Sequence, residues 1–182
     1  MIVIKPIEVA HQMLKEVIER KDIVVDATMG NGYDTLFLSQ LSDHVYAFDI
    51  QKEALKATEE KLALAHQKAT LILDGHEHLL RYIEKPIKAA IFNLGYLPNT
   101  DKSIITRPET TLAALSVLTA RLCVGGRIAL MIYYGHKGGR DEKNALVKWA
   151  QNLPQEYWHS FSYVPLNQIH TPPLLILLEK RK

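Results

Sequence analysis

The chain has 182 residues, 47% of them hydrophobic, which supplies one sizeable core and falls short of two. Its 22 Lys and Arg nearly balance 20 Asp and Glu, so charge neither demands a polyanionic partner nor excludes one, and any nucleic-acid footprint has to be local. The single cysteine, Cys123, excludes an intramolecular disulfide framework and a Cys-rich zinc site.

The apolar neighbours of Cys123, Leu122 and Val124, suggest a buried thiol and fit a reducing cytoplasm. No apolar run approaches the roughly 20 residues that span a bilayer. Nor does the N-terminus show a basic segment followed by an apolar stretch. The expectation is a soluble, cytoplasmic, unexported protein with no membrane partner.

Ala10, Met13, Leu14, Val17 and Ile18 recur at helical spacing, predicting an amphipathic helix that ends before Asp22. From there strands and helices alternate. Strand 23–27 leads to helix 33–41, strand 44–48 to helix 53–65, and strand 70–73 to a helical turn about 77–82. A fourth strand, 87–92, precedes a helix that opens near Pro108, carries Leu112, Leu115, Leu118 and Leu122 on one face, and stops at Gly125-Gly126. A fifth strand covers 128–133. Leu146, Trp149, Ala150 and Leu153 mark a helix before Pro154, and strands at 157–163 and 174–178 follow with no helix between them.

Short apolar strands separated by helices imply an α/β fold: a mostly parallel, seven-stranded, Rossmann-like sheet covered on both faces. The last two strands add an antiparallel hairpin at one edge. No repeat, low-complexity tract or linker divides the chain, so residues 1–182 read as one domain.

In such a sheet ligands bind at the carboxyl ends of the strands, and the loop after the first strand lies there. Here that loop reads Asp26-Ala-Thr-Met-Gly-Asn-Gly-Tyr-Asp-Thr35. Gly30 and Gly32 allow a tight turn and close approach. A dinucleotide loop would place a third glycine where Thr35 stands, and the carboxylates of Asp26 and Asp34 would repel a pyrophosphate. Acidic shoulders suit a cationic ligand, and S-adenosylmethionine carries an ammonium and a sulfonium, with a carboxylate that backbone N–H groups around Gly30, Asn31 and Gly32 can meet. The bland alternative is a helix-capping turn.

The second strand leads to Asp49, 23 residues after Asp26, close to the roughly 20-residue interval at which an acid accepts from ribose hydroxyls. Gln51 follows as a contact to the ribose or adenine edge, or as a solvated helix start. Asp74-Gly75-His76 closes the third strand where an adenine would lie, although Asp74 equally suits capping of the next turn. His76-Glu77-His78 shows no third ligand, so no metal is expected.

The fourth strand leads into Asn93-Leu-Gly-Tyr-Leu-Pro98, which resembles the N-P-P-Y type of motif of amino-methylating enzymes, with Leu94 and Gly95 in place of the prolines. By that resemblance Asn93 accepts from an exocyclic nitrogen and Tyr96 stacks on the base. The fifth strand leads into Tyr133-Tyr-Gly-His-Lys-Gly-Gly-Arg140, where Tyr134 and His136 are candidates to orient or deprotonate an amine and Lys137 and Arg140 to meet phosphate. Residues 100–107, with Lys102 and Arg107, read as a substrate lid or a surface loop.

Together, Asp26–Thr35, Phe48-Asp-Ile-Gln51, Asn93–Pro98 and Tyr133–Gly139 resemble one small family. It comprises bacterial class I S-adenosylmethionine-dependent methyltransferases, once labelled rRNA methylases and associated with tRNA 5-(aminomethyl)-2-thiouridine methylation at the wobble position. The resemblance implies a homodimer acting on a tRNA anticodon stem-loop, with Asn93, Tyr134 and His136 in catalysis and Tyr96, Arg107, Lys137 and Arg140 toward the substrate. Ribosomal RNA or a small-molecule amine is the rival substrate. From other classes, a nicotinamide-dependent dehydrogenase and a non-catalytic S-adenosylmethionine-binding module remain as alternatives.

Overall fold

A computed structural model of the chain describes residues 4–95 and 105–182. The seven strands are β1 Ile23–Asp26, β2 His44–Asp49, β3 Thr70–Leu73, β4 Ile87–Leu94, β5 Leu122–Ile132, β6 Trp158–Tyr163 and β7 Leu174–Lys180. They form one sheet in the order β3-β2-β1-β4-β5-β7-β6. The first five are parallel, and β7 pairs antiparallel with both β5 and β6. Strand order reverses between β1 and β4, so the carboxyl ends of those two strands flank the crevice where such sheets bind ligands.

Successive side chains of a strand point to opposite faces, and the core divides accordingly. Val25, Ala90, Phe92 and Leu130 enter one buried cluster, while their neighbours Val24, Ala89, Ile91, Ala129 and Met131 enter another. Both faces are apolar because both are covered, as the unbroken hydrophobic runs required. Helices α1 Pro6–Lys15 and α2 Tyr33–Ser39 cover one face, with Ala10, Leu14 and Leu38 in its core. The other is covered by the 3-10 turn His76–Arg81, α4 Pro108–Arg121 and α5 Gly139–Gln151. Helix α3 Lys52–Leu64 packs beside α2 against β2 and β3.

Helix α1 opens where Pro6 needs no N–H partner, and Glu8 accepts from the Lys5 N–H at 3.3 Å. It ends at Lys15, short of Val17 and Ile18, although Ile18 still packs on the core. Arg127 fastens this helix to the sheet by donating to the Met13 carbonyl at 2.6 Å, to Glu16 at 2.7 Å and to Glu179 at 2.7 Å.

Two expectations need correction. Helix α4 does not run to Gly125-Gly126: it ends at Arg121, where Leu122 turns extended and β5 begins at once. The glycines lie within β5 at a register shift, where pairing passes from Ile87 with Leu122 to Ala89 with Arg127. A Cβ on Gly126 would stand 2.7 Å from the Lys88 carbonyl oxygen, so close strand approach, not helix termination, requires that glycine. Cys123, in the same irregular stretch, is half-buried rather than buried.

Candidate active site

The turn after β1 is built around Asp26, which is fully buried. Its Oδ1 accepts from the Thr28 N–H at 3.1 Å and its Oδ2 from the Thr35 hydroxyl at 2.6 Å, so both oxygens shape the turn from within. Burial, then the nearby Asp34 charge, pushes Asp26 up to about 7. Gly30 and Gly32 have φ of +50° and +75°. A Cβ on Gly32 would meet Thr58 of α3 at 2.7–2.9 Å, its backbone Cα included. Asn31 is half-buried between them.

Asp49, at the end of β2, turns back toward this loop. Its Oδ2 accepts from the Gly30 N–H at 3.0 Å and its Oδ1 from the Gln51 N–H at 2.9 Å, while burial raises its pKa. Gln51 is the half-buried residue preceding α3. At the end of β3 the acid faces elsewhere: Asp74 accepts from His78 at 2.7 Å and from the Tyr82 hydroxyl at 2.9 Å, with Arg81 3.5 Å away. The His78 hydrogen bond, foremost, lowers the Asp74 pKa. Asp74 is thus bonded to the turn that follows it, and its own Oδ1 also accepts from the Gly75 N–H.

His76 points inward. Its Nδ1 lies 2.9 Å from the Ala27 carbonyl and must donate to it, its ring meets Phe92 edge-on, and burial lowers its pKa. The neutral ring then presents Nε2 as a bare acceptor, buried and without a partner among the described residues. His76 and His78 thus point to different partners.

Between β1 and β4 the turn meets the end of β4. Asp34 is buried, its Oδ1 lies 2.5 Å from Nε2 of His11, and its Oδ2 accepts from the Asn93 side-chain amide. The Asn93 backbone N–H donates to the Thr28 hydroxyl at 2.6 Å, tying the ends of the two strands together. Sequence reasoning grouped Asp34 with the cofactor turn and Asn93 with the substrate, but the two side chains touch. It missed His11, Thr28 and Tyr133. The available signal for His11 was a polar residue set among the inward positions Ala10 and Leu14 of an apolar helix face.

Alternation along β5 decides which tyrosine faces this cluster. Tyr133, half-exposed, feels the Asp34 charge; burial and then that charge raise its pKa. Tyr134 packs against the core on the opposite face, with Lys143 4.5 Å above its ring. His136 Nδ1 lies 3.0 Å from the Lys137 carbonyl. A Cβ on Gly139 would come within 3.0 Å of its Nε2, so the glycine admits the ring. Lys137, Arg140 and Arg107 are exposed, and Tyr96 lies outside the described residues.

Gly95, which follows β4, is bonded to Thr106 through both its backbone groups. The Gly95 N–H donates to the Thr106 hydroxyl at 2.9 Å, and the Thr106 N–H returns a bond to the Gly95 carbonyl at 2.9 Å. That hydroxyl donates in turn to the buried Glu142 at 2.7 Å, which also accepts from Thr111 at 2.9 Å. A cleft of about 360 Å³ opens beside Tyr133, bordered by Lys5, Pro6, Gln168 and His170.

These residues fit S-adenosylmethionine. The turn bends through Gly30 and Gly32 at positive φ, Asp49 supplies carboxylate oxygens next to it, and His76, bonded to the Ala27 carbonyl, holds a buried acceptor. A doubly wound sheet carrying these groups at its crevice defines a class I S-adenosylmethionine-dependent methyltransferase.

Comparison with known proteins narrows the class. Residues 45–179 match the family described as "Putative rRNA methylase". The chain is 36% identical over 191 aligned residues to a chloroplastic tRNA (mnm(5)s(2)U34)-methyltransferase of Arabidopsis thaliana, covering 97% of this chain and 70% of that one. A "putative methyltransferase" from Streptococcus mutans, solved in complex with SAH, superposes with a TM-score of 0.94 at 48% identity over 98% of this chain and 99% of that one. A "putative rRNA-methylase" from Clostridium thermocellum gives 0.95 at 40% identity over 99% and 100%. The chain belongs to this methyltransferase family, and its cofactor is S-adenosylmethionine. No described helix is long and apolar enough to cross a membrane.

Proposed function

We propose that this enzyme methylates the exocyclic amine of 5-aminomethyl-2-thiouridine at the wobble position of tRNA, giving 5-methylaminomethyl-2-thiouridine. The observation that carries this reading is the similarity, across nearly the whole chain, to the plant tRNA (mnm(5)s(2)U34)-methyltransferase. The half-buried Asn93 amide at the end of β4 supports amine chemistry.

When bound, S-adenosylmethionine supplies a methyl group activated by its sulfonium. The amine lone pair forms the new N–C bond as the C–S bond breaks, and the nitrogen then gives up a proton. What the chain contributes is orientation of a neutral amine against the methyl carbon, an effect that can supply several kcal/mol. Asn93 accepts an amine N–H. Tyr133, beside Asp34, borders the substrate side, and His136 stands near Gly95 as a candidate proton acceptor. An anticodon loop offers its base single-stranded, so little unstacking is needed. Exposed Lys137, Arg140 and Arg107 are placed to meet phosphates in this reading.

The family description supports a second reading, methylation of ribosomal RNA. One experiment separates them: incubate purified protein and S-adenosylmethionine with tRNA carrying aminomethyl-thiouridine or with unmodified ribosomal RNA, then analyse nucleosides by mass spectrometry. One added methyl on the wobble nucleoside is expected. Methyl found only on ribosomal RNA would replace the tRNA reading. We also read the enzyme as a cytoplasmic homodimer, with exposed Leu166 and Ile169 offering apolar contact surface. Light scattering at the dimer mass is the expected result.

A further inference from the structure

We propose that His11 is a positioning residue for the reacting amine, acting through Asp34 on Asn93. The inference rests on the amine-methylating reading of the site. His11 comes from α1, outside all four sequence motifs, and its ring stacks on Phe37 of α2 with centroids 3.9 Å apart and planes within 6°. That stack directs Nε2 at Asp34 Oδ1, 2.5 Å away. The other Asp34 oxygen takes the Asn93 amide N–H.

The consequence is chemical. A carboxylate oxygen accepts and an amide nitrogen donates, so contact with Asp34 requires Asn93 to spend its NH₂ there and leaves its Oδ1 as the atom that accepts from an incoming amine. Without His11 the buried Asp34 carboxylate would lose a donor and could turn, and the Asn93 amide would lose its fixed orientation. The backbone supports the same arrangement, since the Asn93 N–H is held by Thr28. Arg127 fixes α1, and with it His11, to β5 and β7.

The test uses two variants that divide what His11 does. His11→Phe keeps the stack on Phe37 and removes the donor; His11→Gln removes the ring and keeps an N–H for Asp34. Methyl transfer to the aminomethyl-thiouridine anticodon stem-loop is measured for both, alone and combined with Asn93→Ala, with cofactor affinity by calorimetry. We expect His11→Phe to lower kcat by about 10- to 100-fold, with cofactor Kd within about twofold. His11→Gln should recover most of that loss, and adding His11→Phe to Asn93→Ala should cost little more. An unchanged kcat in His11→Phe, equal losses in kcat and cofactor affinity, or multiplying effects of His11→Phe and Asn93→Ala would overturn the proposal. Should the wild-type enzyme leave that RNA unmethylated, the function reading fails, but the Asn93 side-chain amide still reports on His11. In the complex with S-adenosylhomocysteine its NMR signal, identified by its loss in Asn93→Ala, should shift in His11→Phe and return in His11→Gln. An unmoved signal overturns the inference whatever the substrate.

Discussion

Replacing Gly32 by alanine tests the turn that defines the class. The residue has φ +75°, where an L side chain costs about 1–2 kcal/mol. Its new Cβ would lie 2.7 Å from Thr58 Oγ1, 2.9 Å from Cγ2 and 2.8 Å from Cα. The first two clashes can be relieved by a rotamer change, but the third is with the backbone of α3, so α2 and α3 must separate, at about 1–3 kcal/mol. Together these predict a loss of about 2–5 kcal/mol, or roughly 5–15 °C in melting temperature for a chain of this size. Cofactor affinity should fall further than stability alone requires, because the displaced turn carries Gly30, whose N–H holds Asp49. Urea denaturation and calorimetry with S-adenosylhomocysteine measure the two effects. The double variant Gly32→Ala with Thr58→Ala should recover only part of the stability, since the clash with the α3 backbone persists and the Thr58 bond to the Gly30 carbonyl is lost. A Gly32→Ala protein within about 0.5 kcal/mol of wild type, binding cofactor normally, would refute the packing argument.

Asp26 binds its proton more tightly folded than unfolded: burial takes it from 3.8 up to about 7, so its contribution to stability is complete below 3.8 and lost as pH rises through about 7, by at most about 4 kcal/mol. Asp26→Asn should flatten the stability profile between about pH 4 and 7 in urea titrations, and an unchanged slope would count against the buried-acid account. Glu142→Ala strands two threonine hydroxyls in a buried site and should cost about 2–4 kcal/mol, whereas Glu142→Gln, which can bond both, should cost about 1; equal losses in denaturant would show that the hydrogen bonds are not what matters. Asp49→Ala should weaken cofactor binding about 10- to 100-fold by removing the acceptor for the Gly30 and Gln51 N–H groups, and calorimetry showing an unchanged Kd would remove Asp49 from the cofactor site.

Much of the frame was legible in the sequence because the physics involved is local. Apolar runs such as Ala89–Phe92 announce strands buried on both faces, and the missing helix between the last two strands announces the antiparallel edge. Gly125-Gly126 misled because the same residue pair serves a helix end and a strand irregularity, and only the approach of the Lys88 carbonyl distinguishes them. The bonds of Asp74 to Tyr82 and Arg81 were not legible in the sequence, because those side chains reach it only after the 3-10 turn has formed. Tyr133 and Tyr134 could be separated only once the strand's last inward position was known, since a shift of one residue exchanges their faces.

The two acids flanking the glycine turn show where pattern reasoning stops. Read together, Asp26 and Asp34 looked like paired shoulders for a cationic ligand. Their neighbours divide them: Asp26 meets the Thr28 N–H and the Thr35 hydroxyl inside the loop, whereas Asp34 meets His11 from 23 residues upstream and Asn93 from 59 residues downstream. The first set of bonds is written within ten residues of sequence and can be anticipated from loop chemistry. The second exists only because parallel pairing of β1 with β4 brings Asn93 beside the loop, while α1 folds back over the same face. A carboxylate held from both directions is fixed in orientation more than one held within its own turn. On our reading Asp34 thereby links the cofactor turn to the amide that receives the substrate, and a substitution at Asp34 should disturb kcat before it disturbs the fold.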